Sequence, residues 1–446
     1  MHTFITISIL LLTLMYILTV RKPRFLDPNS IFLIFNLINY LGTLPLLDYR
    51  YKSDTVHFYF LSIGLIVFIV GSVISARIFP VTEALYLKWK QKPYVIEGGH
   101  IYKNLVYFII FISILLSILY YYAVGYNIFL MGVMNLITGA GEIENASTLR
   151  LASYNSKVGG RYLFPGYINQ LKNTLLPLLI AFIWVRSNTL KEKMPMLIKF
   201  ASLLSIFFIF GTGQRGAFVL AGLMIGIFVL ISSEERAKKK VLLYGGGALI
   251  CLFFLSSFFI GRNSNKGNKT LTGNIQGLYE STQRRISTAN QLGSVIGFRK
   301  IMYYQPTQWG GEWAKAFIGL APGVDGSNLS GKIFSLLYGG NGIRGNAPPS
   351  SWASIYYNFG WFGILLIPIF ISFFLKYLYF RFLSKPKSLF RNLIYISSFV
   401  LIGTWIAGSP TYYFNVGLFT LILLYLMLKF LGKLFGRNLT IINHIQ

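Results

Sequence analysis

The chain has 446 residues, of which 54% are hydrophobic and 12% charged, and its mean hydropathy is +0.59. This composition excludes an ordinary soluble domain and is typical of a polytopic membrane protein. The formal net charge is +28. Much of it follows apolar segments, which favours contact with anionic lipid headgroups over nucleic-acid binding.

Eleven apolar segments approach the length that crosses a bilayer. We predict transmembrane helices centred on residues 4–20, 31–47, 57–79, 105–124, 174–185, 194–210, 217–231, 241–260, 355–378, 393–407 and 413–430. These segments predict an all-α polytopic membrane protein in which residues 1–446 form one transmembrane domain. Two long loops, 125–170 and 262–351, are expected to be partly helical.

The loop charges predict the orientation of the chain. Basic clusters follow the odd-numbered spans, as Lys88, Lys90 and Lys92 follow the third. Short basic loops stay in the cytoplasm. We therefore expect the N-terminus and both long loops outside and the C-terminus inside.

The first long loop opens with residues 126–136, which are apolar but too short to span and predict an interfacial helix. Arg150 and Arg161 follow as candidate ligands for an anionic substrate. Glu142 and Glu144 form the nearest approach to a paired-carboxylate metal site. Their neighbours supply no further ligands, so we predict no metal site.

The turn Gly-Thr-Gly-Gln-Arg-Gly at 211–216 separates the sixth and seventh spans and places Arg215 at the membrane surface. A guanidinium held there suits a phosphate or an anionic lipid headgroup. The alternative is an arginine that extends its charge into water from the loop.

The second long loop contains enough apolar residues to form a core, so it is expected to be ordered. The members of that expected core are Tyr279, Ile286, Val295, Ile296, Phe298, Ile301, Met302, Trp309, Trp313, Phe317, Ile318 and Phe334. We predict helix over 277–301, which would place Glu280 and Arg284 on one face next to Arg285. A surface ion pair is the alternative interpretation.

Further polar and aromatic groups follow in the same loop. Arg299 adds a cation, and Tyr303 and Tyr304 begin a run of aromatic side chains suited to the apolar faces of sugars; an interfacial aromatic belt is the alternative. Arg344 and Asn346 precede a proline pair that leads into the ninth span. Backbone amides at that helix start are suited to an anion.

Ala347-Pro348-Pro349-Ser350, followed by Ile355-Tyr356-Tyr357-Asn358-Phe359-Gly360-Trp361-Phe362-Gly363, resembles a signature of the O-antigen and capsule oligosaccharide repeat-unit polymerases. The Gly-x-Arg turn that ends at Arg215 is similar to that family's outer turn between two central helices. The resemblance implies a GT-C-like membrane glycosyltransferase of the bacterial plasma membrane that uses no cofactor. It would transfer a growing glycan from undecaprenyl pyrophosphate to an acceptor repeat unit, and a chain-length regulator protein is a further expected partner.

Pyrophosphate release requires stabilisation of developing negative charge, which arginines supply through bidentate hydrogen bonds. We predict this role for Arg215, Arg284 and Arg285, with Glu280 as the general base for the acceptor hydroxyl. Glu142, Glu144 and Asp325 are the other candidate bases. Expected substrate-binding residues are Arg299, Arg344, Arg161, Arg150, Asn346, Tyr356, Asn358, Tyr303 and Tyr304.

Two alternatives stay open. A related O-antigen ligase is expected to use an outer-loop histidine, but neither long loop contains one, and only His57 is placed near that surface. A flippase or other transporter is expected to show broken helices, internal repeats and charges inside its spans. The spans read as nearly free of charge and without an internal repeat, so the sequence favours the polymerase.

Overall fold

The structure is a computed structural model that describes residues 1–19, 27–97, 99–138, 149, 165–232, 247, 290–321, 324–339, 345–434 and 439–442. Its helices are α1 (His2–Thr19), α2 (Pro28–Thr43), α3 (Lys52–Ile78), α4 (Glu83–Gln91), α5 (Gly99–Val124), α6 (Ile128–Thr138), α7 (Pro165–Gln170), α8 (Leu176–Thr189), α9 (Met196–Phe210), α10 (Arg215–Ser232), α11 (Asn290–Gly297), α12 (Gly311–Ile318), α13 (Leu329–Tyr338), α14 (Ser351–Ser384), α15 (Leu389–Gly403), α16 (Thr411–Tyr413) and α17 (Phe419–Leu434). Strands β1 (Tyr94–Glu97) and β2 (Leu439–Ile442) pair antiparallel.

Seven helical segments of the described chain are long and apolar enough to cross a membrane. They are His2–Thr19, Pro28–Leu46, Lys52–Ile78, Lys103–Val124, Gly166–Thr189, Ser351–Ser384 and Thr411–Phe430. Three shorter apolar helices are Met196–Phe210, Gly216–Ser232 and Leu389–Gly403. The prediction of an all-α membrane protein is confirmed at this level. The eighth predicted span, 241–260, lies almost wholly outside the described residues, and the total of eleven stays a prediction.

The chain forms two compact units. The first comprises Met1–Gln91, Thr282–Lys385 and Phe399–Phe414. At its centre α3 packs along α14, and small residues permit the close approach. A Cβ atom added at Gly64 would lie 2.8 Å from the ring of Trp352.

A buried ion pair joins helices of this first unit. Asp27 precedes α2, caps it by accepting a hydrogen bond from the Ser30 amide, and pairs with Lys376 at 3.0 Å. The Tyr16 hydroxyl also donates to Asp27 at 3.1 Å. Because α14 continues to Ser384, Lys376 lies two turns inside the helix and not in a loop.

The second unit comprises Lys92–Ser281, Pro386–Ser398 and Asn415–Gln446. Its helices α8, α9 and α10 line a partly open apolar cavity of about 320 Å³, which runs along α10 from Phe218 to Val229. Near the end of α8, Glu192 pairs with Arg186 at 3.0 Å and with Lys103 at 3.3 Å. Partial burial alone would raise the pKa of Glu192. The two neighbouring cations lower the pKa by more than burial raises it, so it lies below the ordinary 4.5.

Several long helices depart from α geometry. Residues Leu171–Leu175, Phe298–Met302 and Phe414–Leu418 form π-helical turns, a type frequent at functional sites. Gly360 breaks α14 with φ 59° and ψ −149°, and Gly417 has φ 136°. The predicted interfacial segment is confirmed as a helix, α6, that begins two residues later than expected.

Candidate functional site

The head of α14, in the first unit, combines the motif residues with a helix break. Gly360 occupies a backbone region that is essentially restricted to glycine. A break there removes helical donors from the carbonyls one turn earlier. The Tyr357 carbonyl accepts a hydrogen bond from the Gln308 amide at 3.1 Å, and the Asn358 carbonyl accepts one from Gly310 at 3.3 Å. The break thereby docks the 308–310 loop onto the helix.

Asn358 is the polar centre of this contact and is fully buried. Its Oδ1 accepts from the Trp313 amide at 3.2 Å. Its Nδ2 donates to Glu312 at 3.1 Å and to the Ser354 carbonyl at 2.9 Å. Its amide is engaged by the protein and positions α12, and its role in substrate binding stays a prediction.

Glu312 is the carboxylate that sequence reasoning missed. It lies half-buried in the first turn of α12, where Ser327 Oγ donates to its Oε1 at 2.7 Å and Asn358 donates to its Oε2. Ser327 lies 15 residues after Glu312 and Asn358 lies 46 residues after it. No local sequence motif therefore marks Glu312. Asp325, one of the predicted bases, is exposed.

The proline-rich segment is fixed in place from several sides. Ser350 caps α14 through the Ala353 amide at 3.1 Å and accepts from Ser294 at 3.0 Å. The Ser351 amide donates to the Ile406 carbonyl at 3.0 Å. Asn346, a predicted substrate ligand, is exposed just before this rigid segment.

The predicted sugar-binding aromatic residues differ in exposure. Tyr356 stacks on Phe60 with ring centroids 4.9 Å apart and is partly enclosed by Phe298. Tyr303 packs edge-on against Tyr304, which is 75% exposed. The predicted loop core is confirmed at Val295, Phe298 and Met302, which are buried. It is wrong for Trp309, Phe317 and Ile318, which are exposed.

Arg299 is engaged within the first unit. Its guanidinium makes bidentate hydrogen bonds to Asp54, which is fully buried, and lies 4.6 Å from the ring centroid of Tyr51. The hydrogen bond from Arg299 to Asp54 raises the pKa of the guanidinium. Its predicted role as a substrate ligand would therefore require release from Asp54. One turn after Asp54, His57 is buried within the protein, and its ring nitrogens have no hydrogen-bond partner among the described residues.

A second polar cluster lies in the second unit, next to the Arg215 turn. Lys172 is fully buried in the π-helical turn, and its Nζ donates to the Phe208 carbonyl at 3.1 Å and to Asn173 at 3.1 Å. Tyr121 donates to the same Phe208 carbonyl at 2.6 Å. These contacts cap the end of α9, where carbonyls favour a cation.

Arg215 itself begins α10 immediately after this capped turn. Its backbone is therefore held at a helix N-terminus, while its side chain lies outside the described part of the structure. Eight further predicted residues lie wholly outside the described part: Glu280, Arg284, Arg285, Arg344, Arg150, Arg161, Glu142 and Glu144. The predicted arginine cluster and the predicted base Glu280 stay predictions.

Three buried charges extend the sequence analysis. Asp54, Lys172 and Lys376 all lie within helices of spanning length, so spans that are nearly free of charge still contain buried ionisable side chains that the sequence did not single out. Among the described residues, no group of three or more His, Cys, Asp or Glu is placed to hold a metal ion. Comparisons with known protein families, characterised proteins and solved structures find no match to this chain.

Proposed function

We propose that this chain is a membrane glycosyltransferase that joins lipid-linked oligosaccharide repeat units. It would transfer the growing glycan from undecaprenyl pyrophosphate to an acceptor unit at the outer face of the bacterial plasma membrane. The observation that carries the proposal is the head of α14. The segment that resembles the polymerase signature is rigidly held there, and it orients a half-buried carboxylate, Glu312, at the end of a helix of spanning length.

In this proposal, pyrophosphate is the leaving group and guanidinium groups stabilise its charge. Arg215 is assigned that role together with Arg284 and Arg285. The capped turn before α10 supports the assignment because it fixes the backbone of Arg215 at the positive end of a helix dipole. No cofactor is needed, since the pyrophosphate bond supplies the driving force.

The cavity between α8, α9 and α10 supports a lipid-linked substrate. Its lining is almost wholly apolar, and Phe218, at one end, lies three residues after Arg215. From Phe218 to Val229 it extends about 16 Å along α10, taking about 1.5 Å per residue. The isoprene units nearest the diphosphate would lie in this groove, with the diphosphate beside the Arg215 turn.

A transporter is the second candidate. The buried charge of Lys172 and the helix breaks at Gly360 and Gly417 favour it, because interrupted helices with buried polar groups are common at transporter binding sites. Both functions would use the same lipid-linked glycan. They differ in whether a glycosidic bond is formed.

One experiment separates these functions. Purified protein in detergent, supplied only with undecaprenyl-pyrophosphate repeat units, should yield a ladder of longer glycans if it is a polymerase. A transporter should yield no ladder but move the same lipid across liposomes. A ligase should transfer glycan only when a lipid A core acceptor is added.

Arg215→Ala should abolish the ladder, and Arg215→Lys should restore little of it because the bidentate geometry is lost. Arg50→Ala is the matched control, since the Arg50 side chain is 89% exposed and pairs only locally with Asp48. A normal ladder from Arg215→Ala would rule out the phosphate role.

A further inference from the structure

Trp309 is the most exposed of the seven tryptophans, with 76% of its surface accessible. Its backbone has φ 49°, a left-handed conformation that is strained for a bulky residue. The flanking amides of Gln308 and Gly310 compensate by donating to α14 carbonyls. The fold therefore holds an indole in solvent against a conformational penalty, a pattern associated with functional sites.

Glu312 lies three residues after Trp309 and is oriented by the same docked segment. Ser327 and Asn358 each donate one hydrogen bond to it. A carboxylate has about four acceptor positions, so about two stay open for a ligand. Within the described chain no lysine or arginine pairs with Glu312. Glu312 is therefore a fixed carboxyl group with spare acceptor capacity, three residues after the exposed Trp309.

We infer that Trp309 and Glu312 form the subsite for the acceptor sugar: the indole stacks on a pyranose face and Glu312 accepts the proton of the attacking hydroxyl. This inference rests on the proposed function and names a base other than Glu280. The acceptor oxygen bonds to the donor anomeric carbon while its proton passes to Glu312. The bond from that carbon to pyrophosphate breaks, and its electron pair leaves with the pyrophosphate. Glu312 then releases the proton to solvent.

The role of Glu312 is tested by steady-state kinetics of the purified protein. Glu312→Gln keeps an acceptor for Ser327 but removes the base, and should lower kcat by about 10²–10⁴-fold with little change in acceptor KM. Formate should partly restore turnover to Glu312→Ala, which a purely structural role would not allow. Glu83→Gln, which changes an exposed carboxylate in the first turn of α4, is the control and should retain kcat.

The role of Trp309 is tested by binding. Trp309→Ala should raise the acceptor KM by about threefold to tenfold, whereas Trp309→Phe keeps a ring and should change it less than about twofold. Lipid-free repeat-unit oligosaccharide should shift the intrinsic fluorescence of the wild type, and Trp309→Phe should abolish the shift. The exposed Tyr338 provides the control Tyr338→Ala, which should leave KM and the shift unchanged.

Several outcomes overturn the inference. A wild-type kcat in Glu312→Gln would refute the role of Glu312 as the base. If Glu280→Gln then loses activity, the role belongs to Glu280. An unchanged acceptor KM and an unchanged fluorescence shift in Trp309→Ala would refute stacking of Trp309 on the sugar. A role at the membrane interface would then explain its exposure. If Glu312→Gln unfolds in detergent, Glu312→Ala carries the test: restoration of kcat by formate supports the inference, and low turnover that formate does not change refutes it. A wild type that makes no ladder refutes the polymerase proposal itself.

Discussion

Replacement of Arg299 by methionine should destabilise the protein more than replacement of Asp54 by asparagine. The two side chains form one ion pair but differ in burial, since Asp54 is fully buried and the Arg299 side chain is 18% exposed. Without Arg299, a buried carboxylate keeps only two donors, the Asp48 amide at 2.8 Å and Ser53 Oγ at 3.2 Å. Removing one partner of a buried pair costs about 3–5 kcal/mol. With two donors left we expect about 3 kcal/mol.

Asp54→Asn leaves the opposite partner, and that partner reaches water. The guanidinium also keeps the ring of Tyr51 at 4.6 Å, a contact worth about 0.5–1 kcal/mol at an exposed site. We therefore expect a loss of about 1.5 kcal/mol, the lower end for hydrogen bonds to charged groups. The difference between the variants corresponds to about a tenfold difference in the unfolding equilibrium constant.

The free energy of unfolding can be measured by titrating SDS into dodecyl maltoside micelles that contain the purified protein. The double variant Asp54→Asn/Arg299→Met should lose less than the sum of the single variants, because no uncompensated charge stays buried. Equal losses in the two single variants, or a larger loss for Asp54→Asn, would contradict the reasoning from burial. Retention of polymerisation by folded Arg299→Met would show that the cation is structural and not a substrate ligand.

Three further predictions concern the helices. Gly360→Ala should lower the free energy of unfolding by about 1–3 kcal/mol because an alanine is strained at that φ and ψ. Gly226→Ala, whose added Cβ atom meets nothing within 4 Å, should stabilise α10 by up to about 1 kcal/mol. Equal Tm shifts in the two variants would argue against the helix break at Gly360. Ile225→Trp should fill the apolar cavity and raise the KM for lipid-linked donor, while Val219→Trp, on the exposed side of α10, should not; identical kinetics would exclude the groove. Since neighbouring cations lower the pKa of Glu192 below 4.5, its contribution should be present at neutral pH and lost as pH falls below 4.5. Glu192→Gln should thus lower the free energy of unfolding at pH 7 by under about 1 kcal/mol, with a slightly lower Tm. A Tm difference from the wild type that persists at pH 3 would contradict this.

Apolar runs located the helices of spanning length because burial in lipid requires long continuous segments. Buried charges were missed because their partners are remote: Asp27 and Lys376 are 349 residues apart. Lys376 lies inside the predicted span 355–378, but no pattern in the sequence indicates its pairing with Asp27. In each case the stabilising contact is tertiary and leaves no local pattern.

The candidate site was only partly predictable for the same reason. The motif around Asn358 was recognised, but its amide binds α12 across 46 residues, and that contact alone reveals Glu312. Glycine is frequent in membrane helices, so Gly360 did not by itself predict a break. Trp309 was assigned to a core from hydrophobicity, whereas the loop that holds it is set by backbone hydrogen bonds to α14.

The buried ammonium group of Lys172 has a consequence for biogenesis. The segment Gly166–Thr189 has polar residues at its start, and 83% of its membrane window is buried by protein. A lysine at the centre of an isolated helix costs about 2.5–3.5 kcal/mol during translocon insertion, and less toward the helix ends. Lys172 lies in the first third of its segment and finds its carbonyl partner on the helix that follows. Nascent chains that end before residue 208 should therefore leave this segment incompletely integrated, and synthesis of the next helix should draw both into the bilayer as a hairpin.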